Sequence, residues 1–289
     1  MATTPSSTTG APRMVLGGIT FPEGPRWHAG RLWFSDFYTH RVMALSEEGW
    51  AETMAHVPQQ PSGLGWRPDG TLLVVSMLDR ALMRCERGVL SRVADLSGLA
   101  GGPCNDMVVD AAGRAYVGNF GFDRYAGEAA RAAVLVRVDP DGSVHAAADG
   151  LMFPNGAVIT PDGRRMVIGE TLGHRLTVFD IGADGGLSNR AVFAQLDGVW
   201  PDGICLDAEG AVWVADARGN RVVRVREGQG IVETIAMRPG RHAFACMLGG
   251  ADRRTLYLCT STASGAGMAD KRDGAIEMVR VAVPGAGLP

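Results

Sequence analysis

Phe21-Pro22-Glu23-Gly24-Pro25 has five counterparts further along the chain: Pro61-Ser62-Gly63, Pro103-Cys104-Asn105-Asp106, Pro154-Asn155-Gly156, Pro201-Asp202-Gly203 and Phe244-Ala245-Cys246. Aligned on Glu23, Ser62, Asn105, Asn155, Asp202 and Ala245, the six units follow one another at 39, 43, 50, 47 and 43 residues. Such a period marks a repeat architecture, in which one supersecondary unit buries its apolar face only against its neighbours. A turn glycine follows each column member (Gly30, Gly70, Gly113, Gly163, Gly210), with Arg253 in its place in the sixth unit. Beyond the turn come short runs such as Leu32-Trp33-Phe34-Ser35-Asp36 and Val212-Trp213-Val214-Ala215-Asp216. They are rich in β-branched and aromatic residues and bounded by Gly or Asp-Gly, so they read as strands joined by hairpins. Third strands are predicted at 41–45, 133–138, 175–179 and 221–225, and fourth strands at 52–57, 91–96, 190–196 and 231–237. Four short antiparallel strands per unit make a propeller blade. The prediction is an all-β, six-bladed β-propeller with a central channel: one domain over 13–289 after a loose tail at 1–12. Residues 13–21 are expected to give the last blade its outer strand and close the ring.

Composition narrows the function classes. The chain has 289 residues, 46% apolar and 20% charged, as in ordinary globular proteins, and its forty glycines suit a turn-rich fold. A net charge of -3, with Lys271 the only lysine, gives neither a nucleic-acid footprint nor a polybasic membrane patch. Five cysteines without CxxC spacing fit a reducing, cytoplasmic setting. The Ser/Thr-rich opening lacks the apolar core of a signal peptide. The expected partner is a small-molecule substrate; oligomeric state is not legible.

Inner strands of a propeller line its channel, so the column members should converge there. They read Glu, Ser, Asn, Asn, Asp, Ala. Two carboxylates facing one narrow space repel each other, and burying either unpaired costs several kcal/mol. A divalent cation removes that penalty. Oxygen-only donors favour Ca²⁺ first, with Mg²⁺, Mn²⁺ and Zn²⁺ as alternatives. Glu23, Asn155 and Asp202 are the candidate ligands, and Asn105 is a fourth ligand or, preferably, a donor to substrate. The alternative, that column residues merely cap the loop entering each blade, is the reading for Ser62 and Ala245.

A second polar column (Asp36, Ser76, Asn119, Glu170, Asp216, Thr260) closes the second strands and should satisfy loop backbone donors. Asn119 is kept among the candidate substrate contacts. His40 and His174 occupy turns and are read as turn residues. Cys104 has no neighbouring base and is read as a buried structural thiol. The chain contains no HExxH, GxSxG or GxxxxGK[ST] motif.

Glu23-Gly24-Pro25-Arg26-Trp27, Asn105-Asp106, Pro154-Asn155-Gly156 and Pro201-Asp202-Gly203 together resemble the SMP-30 (regucalcin), gluconolactonase and lactonase family, over about Met14 to Val283. The resemblance implies a six-bladed propeller with one divalent metal at the channel mouth. It also implies metal ligands at Glu23, Asn155 and Asp202, and a substrate contact at Asn105. The implied reaction is lactone hydrolysis by a metal-activated water, with Asp202 also accepting a proton. One departure stands out. Sugar-lactone members carry an Arg two residues before the Asn of unit three, where it binds substrate hydroxyls; here that residue is Pro103. Nearby loops supply Phe120, Phe122, Met152, Phe153 and Trp200 instead, walls for an apolar or aromatic substrate unless they pack between blades. The expected function is a divalent-metal-dependent hydrolase of a lactone or similar cyclic ester. The same metal site used for a lyase or isomerase reaction, or a non-catalytic propeller binding a small molecule, are the alternatives.

Overall fold

The computed structural model describes residues 10–265 and 267–287. Most of the expected tail, residues 1–9, lies outside the described residues. Six four-stranded antiparallel sheets form the blades. Five use four consecutive strands, as in Pro22–His28, Arg31–Asp36, Arg41–Leu45 and Ala51–His56 of the first blade. In the sixth, Arg13–Ile19 pairs outside Gly274–Arg280, so a strand from each end of the described chain closes the ring as expected. Trp27 of the first blade stacks on Tyr257 of the sixth at 5.6 Å across that closure. The core lies between blades, where the second strands bury Phe34, Tyr116 and Trp213 completely or nearly so.

Two backbone features aim the column residues. All six inner strands carry a register shift that spans or adjoins the column position, as between Glu23 and Arg26, Pro154 and Ala157, and Pro201 and Ile204. A bulge of this kind re-aims a side chain at the end of a strand. The inner strands also approach one another too closely for side chains on their facing sides. A Cβ on Gly156 would lie 2.5 Å from the Ile204 nitrogen, and one on Gly203 would lie 2.3 Å from Ala245 Cβ. Glycine after these two column positions is therefore a packing requirement at the axis.

The three carboxylates of the second polar column do what was expected of them. Asp36 Oδ1 accepts from the backbone of Thr20 and Phe21 at 2.9 and 3.0 Å, Glu170 Oε2 from Met152 at 2.7 Å, and Asp216 Oδ1 from Trp200 at 3.1 Å. Arg41, Arg175 and Arg221, each starting the third strand of its blade, pair with these buried carboxylates. His40 and His174 adopt left-handed turns with φ of 59° and 50°. Three strands escaped the sequence reading: Ala81–Glu86, Val144–Leu151 and Gly274–Arg280. All five cysteines are buried and free, and burial pushes the Cys104 thiol up to about 12. Among the described residues no helix is long and apolar enough to cross a membrane.

Candidate metal and substrate site

Glu23, Asn105, Asn155 and Asp202 meet at the floor of one cavity of about 400 Å³ at the end of the channel. All four are buried. Ser62 stands beside them and donates its hydroxyl to Asn105 Oδ1 at 3.5 Å, whereas Ala245 has nothing to contribute. Asn155 Nδ2 donates to Thr171 Oγ1 at 3.1 Å, and that hydroxyl donates to the Pro201 carbonyl at 2.6 Å. The relay fixes which end of the Asn155 amide carries the donors and leaves its oxygen for a cation.

Charge at the floor is out of balance. Among the described residues neither Glu23 nor Asp202 has a cationic side chain within ion-pair distance; Glu23 has only the Gly24 backbone N–H, at 3.1 Å. Burial, then repulsion from Asp202, holds the Glu23 carboxyl well above the usual range, against the pull of that N–H and of Arg26. Asp202 is pushed up to about 8, chiefly by burial, with Asn155 beside it opposing the rise. A third carboxylate, Asp106, is already neutralised. Arg26 Nη2 reaches its Oδ1 at 2.7 Å and also donates to the Met107 carbonyl, while Arg26 Nη1 donates to the Pro25 carbonyl at 2.8 Å. Two unpaired carboxylates flanked by two amides, all oxygen donors, suit one hard divalent cation. The chemistry of the donor set fits the implied metal. Among the described residues no cluster of three His, Cys, Asp or Glu gathers, because half of this set is amide.

Walls above the floor are aromatic. Phe120 stacks on Phe153 at 4.4 Å with Phe122 at its edge, and Phe21 packs on Phe244 at 4.7 Å. Phe120, Phe122, Phe153 and Trp200 all line the cavity. Two expected substrate contacts do not. Asn119 is fully buried with both ends of its amide on backbone: Nδ2 donates to Val134 at 2.6 Å and Oδ1 accepts from Gly121 at 2.9 Å. It closes its strand as Asp36 and Glu170 do. Met152 is absent from the lining, its backbone nitrogen tied to Glu170. Phe153 enters because its φ of 61° turns the chain at that residue.

The sequence reading missed Tyr38, Leu172 and Arg218, which line the cavity from three blades. They stand two residues past Asp36, Glu170 and Asp216, so the repeat arithmetic carried one turn further points to them. Arg124 and Tyr125 come from the irregular segment of the third blade, and Ser264 and Gly265 from that of the sixth. Both insertions therefore border the mouth.

Comparison with known proteins bears on the fold and the family. The 6-deoxy-6-sulfogluconolactonase of Pseudomonas putida is 28% identical over 278 residues, covering 92% of this chain and 93% of that one. The pentonolactonase of Haloferax volcanii is 29% identical over 275 residues, covering 90% and 88%. Among solved structures, a calcium-binding protein, regucalcin, from Agrobacterium tumefaciens superposes with a TM-score of 0.80 at 23% identity over 96% of each chain. The family profile described as SMP-30/Gluconolactonase/LRE-like region matches residues 21–262. The chain belongs to the SMP-30/gluconolactonase/LRE-like family.

Proposed function

We propose that this propeller is a divalent-cation-dependent lactonase whose substrate is more apolar than a sugar lactone. One observation carries the reading: Glu23 and Asp202 are buried, without cationic partners among the described residues, beneath a cavity of small-molecule size, in a family whose members include named lactonases. When bound, a divalent cation supplies Lewis acidity for an ester carbonyl and lowers the pKa of water. Glu23, Asn155 and Asp202 would hold it, with Ca²⁺ the first candidate. Asn105, held by Ser62 and free at its amide nitrogen, orients the ring and steadies negative charge developing on the carbonyl oxygen. Asp202 accepts the proton of the attacking water. The stacked Phe120–Phe153 pair and Trp200 exclude bulk water and bind the apolar body of the substrate.

The test combines chelation, Asp202→Ala and a panel of lactones from sugar-derived to aromatic. Hydrolysis should need added divalent ion, fall by at least about 10²-fold in Asp202→Ala, and be fastest with aromatic members. A folded Asp202→Ala variant with undiminished hydrolysis rejects the mechanism, and a preference for aldonolactones rejects the apolar substrate.

A further inference from the structure

We infer that the cavity mouth carries an anion subsite built from Arg124 and Arg218, and that the substrate is an aromatic or alicyclic lactone bearing a carboxylate remote from its ester. The inference deepens the proposed lactonase reading and rests on it for the ester end of the molecule.

Charged side chains occupy only the two ends of this cavity. At the floor are the carboxylates and amides; between floor and mouth the walls are aromatic. At the mouth stand two guanidinium groups from separate blades. Arg218 fills the turn position that holds Tyr38 in the first blade and Leu172 in the fourth, so blade five puts a charge where those two blades put uncharged bulk. Arg124 comes from the irregular segment of blade three. Each guanidinium lies over a ring: Arg124 at 5.9 Å from the centroid of Phe120, Arg218 at 5.3 Å from that of Trp200. Stacking of this kind places the charge through its flat face and leaves the N–H edge free.

That edge has no partner among the described residues. Arg26, Arg41, Arg175 and Arg221 are all paired with carboxylates, but Arg124 and Arg218 make no ion pair and donate no side-chain hydrogen bond. The other carboxylate at the mouth, Glu128, is already engaged by Arg131 at 3.1 Å and the Asp123 backbone at 2.8 Å. Once a divalent cation balances Glu23 and Asp202, the two arginines leave the cavity with excess positive charge. A planar fork matches a carboxylate through two parallel hydrogen bonds, and the aromatic span between the two ends fits a ring. A hydroxyl-rich sugar would meet mainly aromatic faces along that span.

The experiment compares dihydrocoumarin with dihydrocoumarin-6-carboxylate on the calcium-loaded full chain, in the wild type and in the Arg124→Gln/Arg218→Gln double variant. Both arginines are exposed, so the variant should fold. The readout is the ratio of kcat/KM for the carboxylate over the uncharged lactone. Wild type should favour the carboxylate. The double variant should lower the ratio by about 10- to 100-fold, the range for charge-assisted hydrogen bonds, and added salt should narrow the ratio for wild type more than for the variant. A ratio unmoved by the substitutions overturns the subsite. If wild type turns over neither compound, the lactonase reading fails, and calorimetric binding of the same two probes decides the subsite alone. Arginine-dependent preference for the carboxylate sustains it, and equal binding removes it.

Discussion

Withdrawing divalent ion should leave a protein whose stability falls as pH rises, the reverse of ordinary acid denaturation. Asp202 holds its proton in the folded chain to about pH 8 against an ordinary 3.8, chiefly through burial. Between those values the unfolded chain has ionised this carboxyl and the folded chain has not. The folded state then binds more protons, so stability declines with increasing pH across that window and levels off above it. At about 1.4 kcal/mol per pH step, Asp202 alone accounts for a loss on the order of 5 kcal/mol. Glu23, also raised, acts in the same direction. Such a loss is comparable with the whole stability of many domains, and at about 2 °C per kcal/mol for a chain of this size it lowers Tm by roughly 10 °C. Saturating Ca²⁺ should cancel the slope. Because the ion competes with protons for the same oxygens, its stabilising effect should be small at pH 5 and large at pH 8. Thermal melts in EDTA and in CaCl₂ at both pH values measure this, with Asp202→Asn as the control that loses the Asp202 share of the slope, keeps that of Glu23 and loses most of the calcium response. A Tm in EDTA that stays level or climbs from pH 5 to 8 refutes the reasoning, as does a calcium shift of equal size at both.

Other substitutions probe the supports of the site. Arg26→Leu strands Asp106 as an unpaired buried charge and should cost about 3–5 kcal/mol in urea denaturation; adding Asp106→Asn should recover much of it. Thr171→Val keeps the side-chain shape but removes the hydroxyl orienting Asn155, and should weaken calcium binding about tenfold by calorimetry with little change in the Tm of the metal-free protein. Arg253 takes a φ of 59° where five blades place glycine, and its Nε and Nη2 are buried without partners. Arg253→Gly should therefore raise stability by about 1 kcal/mol, read as a Tm increase of about 2 °C.

The ring was legible because each blade repeats a column residue, a left-handed turn and an apolar run, and the chain closes only if these align. Strands that broke the pattern were hidden for identifiable reasons. Val144–Leu151 is a largely exposed outer strand containing His-Ala-Ala-Ala-Asp-Gly, with little β-branched character to signal it. Gly274–Arg280 follows an insertion and carries Glu277, whose charge is buried only because Arg238 and Arg241 reach it at 2.7 and 2.9 Å. Position in the repeat found Glu23, Asn105, Asn155 and Asp202, because the shared bulge gives those side chains a common direction. It did not separate Asn119 from them, since a polar residue closing a strand looks the same in sequence whether it faces a ligand or a loop backbone. Arg26 and Asp106 were invisible for the opposite reason. They occupy different repeat positions, and only the convergence of the first and third inner strands joins them.

That pairing decides what the floor of the cavity can bind. Asp106 lies near enough to Glu23 and Asp202 to repel both, and its ion pair of 2.7 Å with Arg26 offsets that charge, so among the described residues two carboxylates and not three lack a cationic partner. A single divalent cation would balance them, whereas a floor with Asp106 free would stay anionic after an ion had bound and would repel an incoming carboxylate. The guanidinium beneath the site and the two at its mouth thus act in one direction, although they lie in different layers of the propeller. Under the proposed function, Arg26 would let one ion neutralise the floor, and Arg124 and Arg218 would then present their charge to a substrate without an opposing field below. The repeat supplies identical backbone six times; the selectivity comes from the few residues that break it.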